Sequence, residues 1–461
     1  MHFITFGATK DIFEMLNMEF MKKFSDRSNL LLLLFLIFWI TQSCVNLNPT
    51  DTSDMNSGVI PKDFDWKTIK ELSCTVKVTS TTGIADNTIR VIKIFNSSQM
   101  DQGSLVASGA ATPASPFVVK ISLATTVPAL YIQELLPDGS KALKVIDVKE
   151  STLMVTFAAP IVTNVPAPSN SSFITANVPV DNDGDGVASF FDVDDNDASV
   201  AFVSYFPSES TWGTYVFEDM WPVKGDYDLN DLVLAFRISY YTNALNLVSR
   251  FRLDYNMEAA GSTYSIGAAF QLNLVAASNV QTIAGQSLTG TSPFQIEANG
   301  TENGVIQAVI PLFNNQKDVV AYTEFLNTVS GENIATADQY VSINFITPFQ
   351  QADIAMSAFN MFIVANGRGR EIHLPAYTGT SKFDASLADG YTLFPGDMFK
   401  NSDGMMWGIM IPRQFSYPEE RCSIVNAYNF FSDWATSGGV NHDDWYLPTL
   451  LNMNIEKIYQ L

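Results

Sequence analysis

Residues Glu71–Ser80 read ELSCTVKVTS, in which Leu72, Cys74, Val76 and Val78 alternate with Ser73, Thr75 and Lys77. Alternation with a period of two puts one set of side chains on each face of an extended chain, so this stretch predicts a half-buried β-strand. Segments of the same kind follow: NTIRVIKIFN (87–96), SPFVVKISLA (115–124), PALYIQELLP (128–137), KALKVIDVKE (141–150) and STLMVTFA (151–158). Gly, Pro, Asn and Asp turn signals separate them. Residues 63–159 therefore predict an immunoglobulin-like β-sandwich. Beyond Ala201, segments such as DLVLAFRISYY (231–241), GAAFQLNLVA (267–276) and AFNMFIVANG (358–367) predict a second, larger β-rich domain over 201–461, a β-sandwich or jelly-roll-like fold. The fold class expected is mainly β. One C-terminal helix is expected. Ser416 and Glu419 have capping-box spacing, Ile424, Tyr428, Phe431 and Ala435 share a face, and Gly438-Gly439 closes the segment.

The 461 residues are 47% hydrophobic, enough for sizeable cores. A formal charge of −22 disfavours nucleic acid as a partner, because phosphate backbones are held by clustered Lys and Arg. Acidic ectodomains and cation binders fit the charge.

Met21-Lys22-Lys23 and Arg27 precede an apolar run, Leu30–Ile40, of eleven residues. That is short of the ~20 a spanning helix needs, so residues 21–44 read as a signal peptide. TQSC, ending at Cys44, resembles a bacterial lipobox, with Thr41 where Leu is usual. The resemblance implies acylation of Cys44 and a lipid anchor in the cell envelope, with the outer membrane as the expected location. A polar tether (45–62) and a Pro, Ser and Asn linker (160–180) complete the organisation. Cys74 and Cys422, the remaining cysteines, make no disulfide framework.

The linker leads into DNDGDGVASFFDVDDND, Asp181–Asp197, with seven Asp in seventeen residues. Calcium takes six to eight oxygens, and a twelve-residue loop supplies them from carboxylates at positions 1, 3, 5 and 12 with Gly at position 6. Those positions hold Asp181, Asp183, Asp185, Asp192 and Gly186; Val187 offers its carbonyl at position 7. The flanks carry no helix pair, so the pattern resembles a thrombospondin type 3 or dockerin-type calcium loop more than an EF-hand. Asp194 and Asp197 are left for a second ion.

A second acidic cluster, Glu218, Asp219, Asp226, Asp228, Asn230 and Asp231, lies between two apolar stretches and predicts an acidic connection between strands. Three readings stay open: a second metal cluster, turn carboxylates capping backbone amides, or a pair of acids for glycoside hydrolysis.

FEDMWPVKGDYDLNDLV (217–233), GRGREIHLP (367–375) and the stretch Trp407–Tyr446 together resemble the LruC-domain family of bacterial lipoproteins and secreted proteins. The resemblance covers about residue 201 to the C-terminus. It implies a β-rich envelope protein and names no catalytic residues.

Catalytic signatures are missing. His373 and His442 have no G-x-S-x-G or cysteine signature to serve, and no paired Cys or His points to zinc. His373 reads as a strand-face residue, and Trp434 as buried in the helix face. Trp445 and Tyr446, beside Asn441, His442, Asp443 and Asp444, are the candidate surface platform for a sugar. The expectation is a calcium-binding envelope lipoprotein acting as a non-enzymatic binding or structural module for glycans or other envelope components, with a carboxylate-dependent hydrolase as the alternative.

Overall fold

Strand β1 (Ile69–Val78) buries Leu72, Cys74, Val76 and Val78 and turns Ser73 and Lys77 to solvent, following the alternation of its sequence. The computed structural model describes residues 58–80, 88–136, 140–158 and 180–460. Cys44, the signal segment, the tether up to residue 57 and the linker 160–179 lie outside the described residues. Among the described residues, strand content of 41% against 9% helix makes the fold mainly β, as its patterning predicts.

The strands β2 (Arg90–Phe95), β3 (Leu105–Ala111), β4 (Phe117–Ala124), β5 (Ala129–Leu135), β6 (Lys141–Asp147) and β7 (Thr152–Phe157) complete a first sandwich. One sheet has the order β4-β1-β7, the other β3-β2-β5-β6, and β1 and β7 run parallel. Their inner faces meet at Cys74, Ile92, Ile94, Val119, Ile132 and Val155. Burial pushes the Cys74 thiol up to about 12, which keeps it inert. No disulfide joins it to Cys422.

The second sandwich begins with β8 (Phe202–Phe206), β9 (Gly213–Phe217), β10 (Leu232–Thr242), β11 (Leu247–Ala259) and β12 (Ile266–Ala276). It continues through β13 (Val280–Ala284), β14 (Gln307–Phe313), β15 (Gln339–Gln350), β16 (Phe359–Ala365) and β17 (Glu371–His373). A small hairpin, β18 (Leu393–Phe394) and β19 (Asp397–Asn401), and then β20 (Gly408–Ile411) follow. One sheet runs β13-β15-β11-β10-β9-β20 with β8 also on β10; the facing sheet runs β14-β12-β16-β17. Phe270 of β12 bridges them, its ring 5.7 Å from Phe251 and 4.7 Å from Phe359.

The larger sheet is covered on its other face too. Val216, Val233, Ile409 and Ile411 pack there against the C-terminal segment, with Phe415, Tyr428, Phe431, Trp434 and Trp445. Burial on both faces explains why β10 opens with the unbroken apolar run LVLAF.

The single helix expected at the C-terminus is two short ones. Ser423, not Ser416, caps Ile424–Ala427, accepting from the Val425 N–H, and a second helix spans Phe431–Thr436. Tyr428 breaks the run: its ring stacks on Phe415 at 5.1 Å and its hydroxyl donates to Ser416 O at 2.6 Å. Glu419 Oε1 accepts from the Ser330 N–H instead of closing a capping box. Gly438 and Gly439, at φ 68° and 85°, end the second helix as the sequence predicts.

Both sandwiches fall in one compact unit, Ser53–Leu461. Asn246 clasps the edge strand β3, accepting from the Ala110 N–H at 2.7 Å and donating to Ala110 O at 2.9 Å. Ile60, Phe64 and Trp66, just before β1, pack in the layer between the outer face of the larger sheet and the C-terminal segment. Trp66 Nε1 donates to Gly404 O at 3.0 Å.

Candidate metal centres

In the loop 181–197 the carboxylates first brace the backbone. Asp181 accepts from the Gly184 N–H at 2.8 Å and the Gly186 N–H at 3.0 Å. Asp183, Asp185 and Asp192 each spend Oδ1 on the N–H two residues on, at Asp185, Val187 and Asp194. In each of the three, Oδ2 is buried without a partner. Gly184 and Gly186, at φ 77° and 95°, make the turn that non-glycine residues resist. Asp181, Asp183 and Asp185 bring carboxylate oxygens within 4.8 Å of one another. Burial, and then the charges of Asp185, Asp183 and Asp195, push the Asp192 carboxyl up to about 6. The residues predicted at positions 1, 3 and 5 thus form an oxygen cluster, and Asp192, at position 12, adds a buried unpartnered oxygen and feels the charges of Asp185 and Asp183.

Asp197 departs from the expectation of a second ion. Its oxygens are engaged by Arg250 at 3.1 Å and by the Ser199 hydroxyl, which with the Arg250 charge hold its carboxyl below the usual range. Val187 contributes an anchor: its side chain is buried with Val91 and Leu135 of the first sandwich and Ala201 and Phe202 of the second.

The second acidic cluster is the connection from β9 to β10, as its flanks predict. Glu218 is fully buried; Oε1 accepts from the Leu229 N–H at 2.7 Å, and Oε2 has no partner. Glu218, exposed Asp226 and buried Asp228 bring oxygens within 4.8 Å of one another. Asp231 accepts from the Asp219 N–H at 2.8 Å, and Asp219 takes the Ser262 hydroxyl, so these two brace the connection. Asn230 Nδ2 donates to Pro418 O at 3.1 Å. Burial first, and neighbouring carboxylates second, push Glu218, Asp228 and Asp231 well above the usual carboxylate range. Glu420, not singled out in the sequence, joins them. A separation of 189 residues from Asp231 hides it from any local pattern.

The sugar platform is corrected. Trp445 is 0% and Tyr446 2% exposed, and the Trp445 ring stands 5.0 to 5.9 Å from Phe431, Trp434, Tyr428 and Phe415. An indole enclosed by rings has no face for a ligand; of the polar residues before it, the exposed Asn441 and His442 turn to Asp433. Trp434 is buried, as expected.

His373 sits on β17 in a chain of buried charge. Its Nδ1 faces Asn360 Oδ1 at 2.7 Å and its Nε2 faces Glu371 Oε2 at 2.8 Å. Arg368 reaches both Glu371 and Glu302. Burial raises the Glu371 carboxyl, but the hydrogen bond and charge of His373, with Arg368, overturn that and hold it at about 2. A carboxyl depressed on folding contributes stability above its unfolded value, which is lost as pH falls through the folded one. The full chain is therefore expected to lose stability between about pH 4.5 and about pH 2, and Glu371→Gln to flatten that slope in acid unfolding followed by circular dichroism.

A family model described as a domain of unknown function (DUF4842) matches residues 246–446. The match takes in GRGREIHLP and Trp407–Tyr446 and begins beyond the β9–β10 connection. Among solved structures, the crystal structure of a "putative lipoprotein" from Bacteroides ovatus is similar, with a TM-score of 0.50 and 17% identity. The likeness covers 80% of this chain and 98% of that one, and at this identity it speaks to the fold. No curated protein matches the chain.

Proposed function

We propose that the chain is a calcium-binding lipoprotein of the bacterial envelope, of LruC type, acting as a non-enzymatic binding or structural module. The observation that carries this reading is the set of buried, unpartnered Oδ2 atoms of Asp183, Asp185 and Asp192, at ligand positions of a calcium-type loop. Calcium is the hard, oxygen-seeking cation such a set suits, and with the ion bound the loop holds Val187 between the two sandwiches. The ion's role is then to set the joint. A lipid anchor at Cys44 is supported by the basic, apolar and Cys order of residues 21–44 and by the name of the similar Bacteroides structure. Among the described residues no helix is long and apolar enough to cross a membrane.

A cavity of about 160 Å3 is lined by Asp65, Lys67, Glu71, Met356, Tyr377 and Met410. Its acids are paired, Asp65 with Lys67 and Glu71 with Lys120, each at 2.6 Å, which supports a binding or structural role over hydrolysis. With Trp445 and Tyr446 buried, the structural role leads, and a glycan array probed with and without calcium tests the binding role.

The metal reading is tested by melting the full chain in calcium and in chelator. A site filled at ~100 times its Kd adds about 2.7 kcal/mol. At roughly 2–4 °C per kcal/mol, chelation is expected to lower Tm by about 5–10 °C. Asp183→Asn should reproduce much of the drop; equal melts in calcium and chelator overturn the reading.

A further inference from the structure

The β9–β10 connection leaves acceptors in the interior that no protein donor meets. Glu218 and Asn230 are both 0% exposed, and Glu218 Oε2 and Asn230 Oδ1 are unpartnered. The bond from Asn230 Nδ2 to Pro418 O fixes the amide, so its bare oxygen is not a matter of orientation. Glu420 Oε2 is likewise buried and unpartnered. Space for these oxygens is held by glycine. A Cβ at Gly261 would stand 2.5 Å from Asn230 Oδ1 and 2.9 Å from Glu420 Oε2, and one at Gly225 would stand 1.9 Å from Glu218 Oε2.

Nearby cations are occupied elsewhere. Arg370 donates to the backbone oxygens of Trp221 and Asp219, and Arg421 reaches Glu420 Oε1 only at 4.0 Å from a largely exposed position. Burying a polar acceptor with no donor costs about 1–3 kcal/mol, and more when it is charged. An oxygen-only set of this kind, with no nitrogen or sulfur ligand, matches the hard divalent cations.

We propose that this connection is a second, buried divalent-cation site, with Glu218, Asp226 and Asp228 as carboxylate ligands and Asn230 and Glu420 extending the oxygen shell. Calcium fits best, since it accepts high and irregular oxygen coordination. Asp226, the exposed member, stands at the entrance. The site brings residues 418–421 onto the β9–β10 connection, where the Arg421 N–H already donates to Asp228 Oδ2 at 2.7 Å. It is separate from the loop at 181–197 and does not depend on that loop binding metal.

The test is calorimetric titration of the chelator-stripped full chain with Ca2+, alongside Tb3+ luminescence excited through tyrosine, since Tyr227 lies between two of the ligands. Asp228→Asn is expected to remove one binding equivalent, and Glu420→Gln to weaken the same equivalent by ~10-fold or more. Both should cut the sensitised Tb3+ emission. The loop variant Asp183→Asn should leave this equivalent in place, so failure of one site is distinguishable from failure of the other. Should Asp228→Asn fail to fold, Glu420→Gln decides alone. Wild-type stoichiometry, affinity and emission in Glu420→Gln would mean that water or shared protons satisfy these oxygens, and would overturn the site.

Discussion

Arg368→Met is expected to destabilise the full chain by about 3–5 kcal/mol, the usual result of removing one partner from a buried charge network. Arg368 holds Glu302 with two bonds, Nε to Oε1 at 2.6 Å and Nη2 to Oε2 at 2.8 Å, and bonds Glu371 through Nη1. Glu302 is 3% and Glu371 0% exposed. Without the guanidinium both carboxylates stay buried, with only His373 and Thr380 to answer Glu371. Arg368→Lys should recover little, because an ammonium cannot span two carboxylates in the planar fork this site uses. Urea unfolding should show a lower midpoint at unchanged slope. Adding Glu302→Gln to Arg368→Met should return part of the loss; equal stability of Arg368→Met and wild type would show the network to be dispensable.

Trp66→Ala is expected to cost about 3–5 kcal/mol, the range for removing a buried Trp or Phe. The indole is 3% exposed and packs on Phe64 at 4.9 Å and on Phe431 and Trp434, each at 5.6 Å. Trp66 precedes the first strand of the first sandwich, yet Phe431 and Trp434 belong to the C-terminal segment that covers the second. Loss of the ring should therefore loosen the lead-in to β1 as well as the core it fills. Hydrogen exchange should show faster exchange around residues 60–68, where the Thr68 hydroxyl donates to Met410 O at 2.6 Å. Protection there equal to wild type would place the stabilisation elsewhere.

These two sites differ in how far the sequence announces them. GRGREIHLP places Arg368, Glu371 and His373 on neighbouring positions, so their contact is a local matter of strand and turn. Glu302, 66 residues away, completes the network only in three dimensions. Trp66 reads in the sequence as part of the first sandwich because alternation begins beside it; its burial depends on Phe431 and Trp434, hundreds of residues on.

The acidic segments show the same division. Spacing alone placed Asp181, Asp183, Asp185 and Asp192 in one loop, since a twelve-residue turn built on glycines brings those positions together by backbone geometry. It also placed Glu218–Asp231 between two strands. It could not tell Asp197, drawn to Arg250, from a ligand, nor include Glu420.

Legible along the chain is what repeats or closes over a few residues: the strands, their inward faces, the turns and the grouping of the loop carboxylates. Tertiary structure decided the rest. It split one predicted helix in two because Tyr428 packs on Phe415, buried Trp445 among rings, and carried Glu420 to the β9–β10 connection. The physical reason is that period and turn chemistry act along the chain, whereas burial and charge pairing depend on neighbours that only the folded chain supplies.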